Sequence, residues 1–289
     1  MKPEWLTIVP QFTEKYKKVK DTVSSLGLHT VCTEAKCPNV AECWGSGTAT
    51  FMVLGDRCTR SCKFCSVMKS VNGIEVDRKE PAKLAKAIKD WGLDYVVITS
   101  VCRDDLEDQG ASHFAECVKS IKEENPDVIV EVLIPDFQGD PSLVKKIAYS
   151  RPDVIGHNIE TVERLNPKIR DRRASYTQSI DVLKSVKEAD SRIYTKSAMM
   201  LGLGEEEDEV IRSMHDLNGV GVDFLAIGQY LKPVSAGFYI DVKDYITPER
   251  FEYFKELALE IGFLYVAAGP FVRSSYKAGE FFTKSLIKR

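Results

Sequence analysis

The sequence predicts an α/β protein, an incomplete parallel barrel of the (β/α)6 kind, flanked by an N-terminal and a C-terminal extension. Three observations carry this expectation. Short β-rich runs alternate with helical segments along most of the chain, the pattern of a parallel sheet with helices outside it. About six such strands are countable, short of the eight of a closed TIM-type barrel. Residues 1–47 and 263–289 stand outside the alternation, leaving 48–262 as the partial barrel.

Residues 11–28 have Val19, Val23 and Leu26 at helical spacing and predict an amphipathic helix. Residues 29–48 read as loop. The strands expected next are Thr48–Leu54, Tyr95–Thr99, Val128–Leu133, Val154–His157, Ile193–Ala198 and Phe224–Ile227. Between and after them, helices are expected at Pro81–Asp90, His113–Glu124, Ser142–Tyr149, Thr177–Glu188, Glu206–Leu217 and Pro248–Ile261. No repeat and no Pro/Ser-rich linker divides the chain, so one catalytic domain with two extensions is expected.

Composition excludes several classes. A chain of 289 residues that is 44% apolar and 29% charged buries a sizeable core, unlike a disordered, collagen-like or rod-like chain. Its longest charge-free stretches, Cys43–Gly55 and Gly262–Val272, fall short of the roughly 20 apolar residues of a spanning helix, so no membrane role is expected. A net charge of −3 from 40 basic and 43 acidic residues argues against a nucleic-acid partner. The start, Met1-Lys2-Pro3-Glu4-Trp5, resembles neither a signal peptide nor a transit peptide, which makes a cytoplasmic location the expectation.

The chemistry lies in the cysteines. Six of the 8 fall in two sets: Cys32, Cys37 and Cys43 read C-x4-C-x5-C, and Cys58, Cys62 and Cys65 read C-x3-C-x2-C. Disulfides suit a secreted chain better than a cytosolic one. Structural zinc favours four ligands, commonly in two C-x2-C knuckles, and only one such pair occurs here, with His29 the only histidine nearby. Iron–sulfur clusters, held by thiolates on short loops, fit two sets of three, each one protein thiolate short of four. An iron without a protein ligand is open to a substrate or cofactor.

The run Cys58-Thr59-Arg60-Ser61-Cys62-Lys63-Phe64-Cys65 resembles the radical S-adenosylmethionine superfamily. That resemblance implies an open iron chelated by the amino and carboxylate groups of S-adenosylmethionine. One electron from the cluster then cleaves the sulfonium and yields a 5′-deoxyadenosyl radical.

Over nearly its whole length the chain further resembles the lipoyl synthases. Cys32-Thr33-Glu34-Ala35-Lys36-Cys37-Pro38-Asn39 with Cys43-Trp44 is similar to that family's auxiliary-cluster motif, and the radical motif begins fifteen residues after Cys43. Arg103-Asp104-Asp105-Leu106, His157-Asn158-Ile159-Glu160-Thr161-Val162, Gly228-Gln229-Tyr230-Leu231 and the tail Arg273-Ser274-Ser275-Tyr276 match as well. The chain departs from the family at Cys102, where an aspartate is usual, at Gly156, often asparagine, and at Gln109, commonly glycine.

The resemblance implies insertion of two sulfurs at C6 and C8 of an octanoyl group carried on a lysine of a lipoyl carrier domain. Those C–H bonds are unactivated, so a carbon radical must abstract hydrogen. It implies two 4Fe–4S clusters and S-adenosylmethionine as cofactors. Cys58, Cys62 and Cys65 would hold the radical cluster. Cys32, Cys37 and Cys43, with Ser275 as an oxygen ligand, would hold an auxiliary cluster that supplies the sulfur. Phe64, Asn158, Glu160, Lys196 and Gln229 are the expected cofactor contacts, and Arg273 and Tyr276 would position the tail. Asp136, Thr99 and Ser100 stand with them at expected strand ends. Implied partners are the octanoylated carrier (an E2 subunit of a 2-oxoacid dehydrogenase or the glycine-cleavage H protein), a ferredoxin or flavodoxin reductant, and an iron–sulfur carrier protein. Arg170, Arg172 and Arg173 read as a solvated charge run, with docking of an acidic carrier as the alternative. Cys102 and Cys117 are expected not to be ligands, Cys117 as a buried helical thiol.

Overall fold

A parallel strand buried on both faces needs a continuous apolar run, and Tyr95-Val96-Val97-Ile98-Thr99 supplies one, all five residues being buried. The computed structural model describes residues 3–7, 12–45, 50–233 and 238–275. Within them the strands are β1 His29–Thr30, β2 Thr50–Val53, β3 Arg57–Cys58, β4 Met68–Lys69, β5 Tyr95–Ser100, β6 Ile129–Leu133, β7 Val154–Gly156, β8 Tyr194–Leu201, β9 Phe224–Gln229 and β10 Tyr265–Gly269. Eight form one sheet, in the order β1-β2-β5-β6-β7-β8-β9-β10, and β3 pairs with β4 apart from it. Every pairing in the large sheet is parallel except β1 with β2. The order ends on β1 and β10, so the barrel is open, as expected.

The six expected strands and six expected helices are all present. The helices are Glu80–Trp91, Ala111–Glu124, Pro141–Ala148, Tyr176–Ala189, Glu207–Gly219 and Pro248–Ile261. Local chemistry sets their ends: Ser175 caps Tyr176–Ala189 by accepting from Gln178 N, and Thr247 caps Pro248–Ile261 with proline in its first turn. The N-terminal helix, Glu14–Leu26, closes on Gly27 in the left-handed conformation. It packs Val19 and Val23 into the same core as Trp44 and the β2–β5–β6 side of the barrel.

Two parts of the reading change. The segment read as loop at 29–48 contains β1 and two short helices, Val31–Glu34 and Val40–Gly45. A seventh parallel strand, β10, lies in the presumed C-terminal extension and pairs with β9 from Tyr265↔Phe224 to Gly269↔Gly228. Its run, Tyr265-Val266-Ala267-Ala268-Gly269, is short and glycine-ended, and only its neighbour makes it a strand.

The lower half of the barrel holds a buried ion pair. Lys196 Nζ donates to Glu131 Oε1 at 2.8 Å and Oε2 at 3.1 Å, and the Tyr95 hydroxyl donates to the same carboxylate. Both Lys196 and Glu131 are buried. Lys196→Met should therefore destabilise the fold by about 3–5 kcal/mol, the cost of leaving a buried carboxylate without its cation. Adding Glu131→Gln should recover most of it. Urea unfolding checks both, and an unaltered midpoint in the single variant would exclude this role.

Candidate metal centre and its cavity

A cavity of about 430 Å³ opens at the C-terminal ends of the barrel strands, where parallel barrels place their chemistry. The first cysteine set, the last cysteine of the second and the C-terminal tail meet there: Cys32, Cys37, Cys43, Cys65, Arg273 and Ser275 all line it.

The first set is shaped by local turns. Thr30 caps Val31–Glu34, Cys37 N donates to Cys32 O at 3.1 Å, and Cys43 N donates to Asn39 O at 2.9 Å. Asn39 Nδ2 donates to Phe271 O at 2.7 Å and ties this segment to the tail, 232 residues away in sequence. The tail approaches closely enough that a Cβ on Gly228 would lie 2.1 Å from Val272 O, so only glycine fits at that point of β9.

The second set begins on β3 and turns back on itself, with Cys65 N donating to Cys62 O at 3.3 Å. Leu54 and Gly55, both at positive φ, turn the chain from β2 into it. Leu54 is held from both sides: its N–H donates to Glu80 Oε2 at 3.0 Å and its C=O accepts from Arg103 at 3.1 Å. His113 shares Glu80 at 2.6 Å and Cys117 lies beside them. This trio, with Glu80 and Cys117 buried and His113 half-buried, has metal-type donors, but Glu80 is engaged in holding the turn. Cys117 is buried in its helix, as expected.

All 8 cysteines are free thiols. Burial pushes the Cys32, Cys37 and Cys62 thiols above their ordinary value, and Cys65 up to about 12, with the Cys58 and Cys62 charges adding to the effect on Cys65. Cys58 differs: a hydrogen bond with the Cys102 side chain holds it down at about 6 against burial. Thiols whose charges would repel, Cys37 on Cys32 and Cys58 and Cys62 on Cys65, suit bound cationic iron, which takes thiolates and releases their protons. The donor set fits iron–sulfur clusters.

A buried polar network surrounds the second set. Arg60, inside the motif, bridges two carboxylates, Asp136 at 2.6 Å and Asp104 at 2.8 Å. Burial opposes ionisation of both acids, yet the Arg60 guanidinium outweighs it and holds them below the usual carboxylate value. Asp136 is thereby engaged inside the protein and is not a free ligand contact. The basic run is not a solvated face either. The Arg170 side chain is only 7% exposed and reaches Asp136 at 3.8 Å, and Arg173 binds Asp171 at 2.8 Å and donates to Thr59 O at 2.6 Å. Arg172 alone is exposed. A tally of charge hides this, because Asp171 sits within the run and turns its neighbours inward.

The expected cofactor contacts divide. Phe64, Asn158, Glu160 and Gln229 line the cavity. Glu160 has φ 67 and is locked to β8 by backbone bonds to Ala198 O and from Met200 N, a strained position of the kind found at ligand sites. Burial raises the Glu160 carboxyl above its ordinary value, opposed by Arg170 and by the Asn158 amide. Asn158 Nδ2 donates to Glu160 at 3.1 Å while its Oδ1 accepts from Ser274 Oγ at 3.1 Å. The Gln229 amide is engaged with backbone, donating to Asp244 O at 3.0 Å and accepting from Ile246 N at 2.8 Å, so it shapes the wall. Lys196 is not brought to the cavity; it faces Glu131 below. Tyr276 lies outside the described residues. The sequence reading missed Arg60, Asp171 and Asn39. The one signal for Asp171 was an acid within a basic run.

The family model of the radical SAM superfamily matches residues 52–217, from β2 to the helix before β9. The crystal structure of methylornithine synthase (PylB) shares the fold at a TM-score of 0.52 and 16% identity, over 80% of this chain and 77% of that one. The lipoyl synthase of Halobacterium salinarum is 53% identical over 99% of this chain and 93% of its own length. The apicoplast lipoyl synthase of Plasmodium falciparum is 52% identical over 100% of this chain and 69% of its own. Within the radical SAM enzymes, the chain belongs to the lipoyl synthases. The resemblance carried by the cysteine motifs and the tail is thus borne out. With it stand the enzyme class, a radical sulfurtransferase, and the cofactor set, S-adenosylmethionine with two 4Fe–4S clusters.

Proposed function

We propose that this cavity inserts two sulfurs at C6 and C8 of an octanoyl group on a carrier-domain lysine, with the two cysteine sets in separate roles. The observation that supports this is one cavity lined by all three cysteines of the first set, by Cys65 of the second and by Ser275. Cys58, Cys62 and Cys65 hold the cluster that binds S-adenosylmethionine; Cys32, Cys37 and Cys43, completed by Ser275, hold the auxiliary cluster. When bound, these groups supply a carbon radical for hydrogen abstraction and the sulfur for insertion.

The chain's own residues bind, orient and exclude water. Glu160 and Asn158 offer a carboxylate and an amide for the polar end of the methionine moiety. Val31, Leu133, Met199, Ala226, Leu231 and Val272 give the cavity an apolar wall suited to an acyl chain. Phe64 lies beside them for the adenine. Ser274, bonded to Asn158, ties the auxiliary tail to this pocket.

Carrier, reductant and repair partners follow from the chemistry: an octanoylated E2 or glycine-cleavage H protein, a ferredoxin or flavodoxin, and an iron–sulfur carrier to rebuild a cluster that loses sulfide. The cytoplasm is the proposed location, checked by fractionation, since relatives carry apicoplast and mitochondrial names. Among the described residues no helix is long and apolar enough to cross a membrane.

The direct test is anaerobic turnover of the reduced holoenzyme with S-adenosylmethionine and an octanoylated carrier peptide. The expected result is a lipoyl peptide with two deoxyadenosines per product. Deoxyadenosine with no sulfur in the peptide would exclude sulfur insertion, and no deoxyadenosine would leave an electron carrier.

A further inference from the structure

The loop of the radical motif makes repeated hydrogen bonds with Ile169–Arg173, the stretch that ends the short helix Asn166–Ile169 and continues past it. Lys63 N donates to Ile169 O at 2.7 Å. Ser61 N and Ser61 Oγ donate to Asp171 Oδ2 at 2.9 and 3.1 Å. Arg173 donates to Thr59 O at 2.6 Å and clamps Asp171 with Nε at 2.8 Å. The remaining bond reaches the metal-binding atom itself: Asp171 N donates to Cys62 Sγ at 3.3 Å. This pattern is a template. It fixes the backbone on either side of Cys62 and aims one amide at its sulfur.

We infer that Asp171 is a positioning residue for the radical cluster: its carboxylate sets the loop, and its amide hydrogen-bonds the Cys62 thiolate and raises the cluster's reduction potential. An N–H pointed at a cluster sulfur withdraws electron density and makes reduction easier. The carboxylate bonds Ser61, the residue before Cys62, and steadies the loop, while the Lys63–Ile169 backbone bond keeps the amide and the sulfur adjacent independently of it. This rests on the assignment of Cys58, Cys62 and Cys65 to the cluster that binds S-adenosylmethionine.

Two variants separate the parts. Asp171→Ala and Asp171→Pro both lose the carboxylate and its charge, and they differ in the amide proton. Arg170 is already extended (φ −86, ψ 167), the conformation favoured before proline. In each variant the holoenzyme is titrated by electron paramagnetic resonance, following the part of the signal that changes on adding S-adenosylmethionine, with iron and sulfide counted alongside. Cluster content should be equal in both. The cluster's one-electron reduction should be about tenfold less favourable in Asp171→Pro than in Asp171→Ala, a midpoint about 59 mV more negative. Equal potentials and equal spectra in the two variants would overturn the inference. If Asp171→Pro does not fold, Asp171→Ala decides: loosening the loop must alter the spectrum seen with S-adenosylmethionine, and a spectrum identical to the unsubstituted protein overturns it. If the unsubstituted protein shows no change on adding S-adenosylmethionine, the cysteine assignment fails instead.

Discussion

Cys37→Ala should still cleave S-adenosylmethionine but form no lipoyl product, whereas removing the Cys58 thiol should reduce both activities to background. The asymmetry follows from the two roles. On the proposed assignment, an enzyme without Cys37 would lack a ligand of the auxiliary cluster and so the sulfur source, while the second set, on a separate loop, would still assemble. Without Cys58 the open-iron cluster cannot form and no radical is produced. The structure adds a condition to this test. Cys102 hydrogen-bonds Cys58, so a spare thiol stands where the lost ligand was. The decisive variant is therefore Cys58→Ala combined with Cys102→Ala, and Cys102→Ala alone should keep the iron and sulfide of both clusters. Iron counts with deoxyadenosine and product assays read all of these. Lipoyl formation by Cys37→Ala would refute the sulfur-donor assignment.

Ser275→Cys should hold both clusters and cleave S-adenosylmethionine, yet stall before completing sulfur insertion. Ser274 is engaged with Asn158, while Ser275 lines the cavity with Cys32, Cys37 and Cys43. Arg273 is half-buried beside them; desolvation disfavours its ionised form, and the Cys37 charge favours it. A cation there stabilises an anionic oxygen. A serine oxygen is a poorer match for iron than a thiolate. It can leave when the cluster must give up an iron and expose sulfide, and cysteine would not. Trapped peptide carrying one sulfur, measured by mass spectrometry, is the expected product. Full turnover in Ser275→Cys would exclude a detachable ligand, and unchanged activity in Ser275→Ala would exclude ligation.

Much of this was legible without coordinates. The alternation of strand and helix gave six strands and six helices to within a few residues, because each is set by local apolar period and by caps such as Ser175 and Thr247. The cysteine spacings pointed to iron–sulfur clusters because a metal site needs donors in short loops, and short loops are local in sequence.

What the spacing left undecided was direction. Lys196 was expected at the cavity because its strand was expected to end at Ala198; β8 runs on to Leu201, so Lys196 lies in the layer below and faces Glu131. Arg170 and Arg173 looked solvated, but turn inward because Asp136 and Asp171 lie beneath them. Asn39 meets Phe271 and Asn158 meets Ser274 across 232 and 116 residues, contacts no local rule reveals. The sequence alone determined the alternation, the two cysteine sets and the family, since these depend on neighbours along the chain. Only the tertiary structure decided which charges pair, which thiol stands beside Cys58 and which amide reaches Cys62. Those follow from burial, where an unpaired charge is costly and each group must find its partner in space.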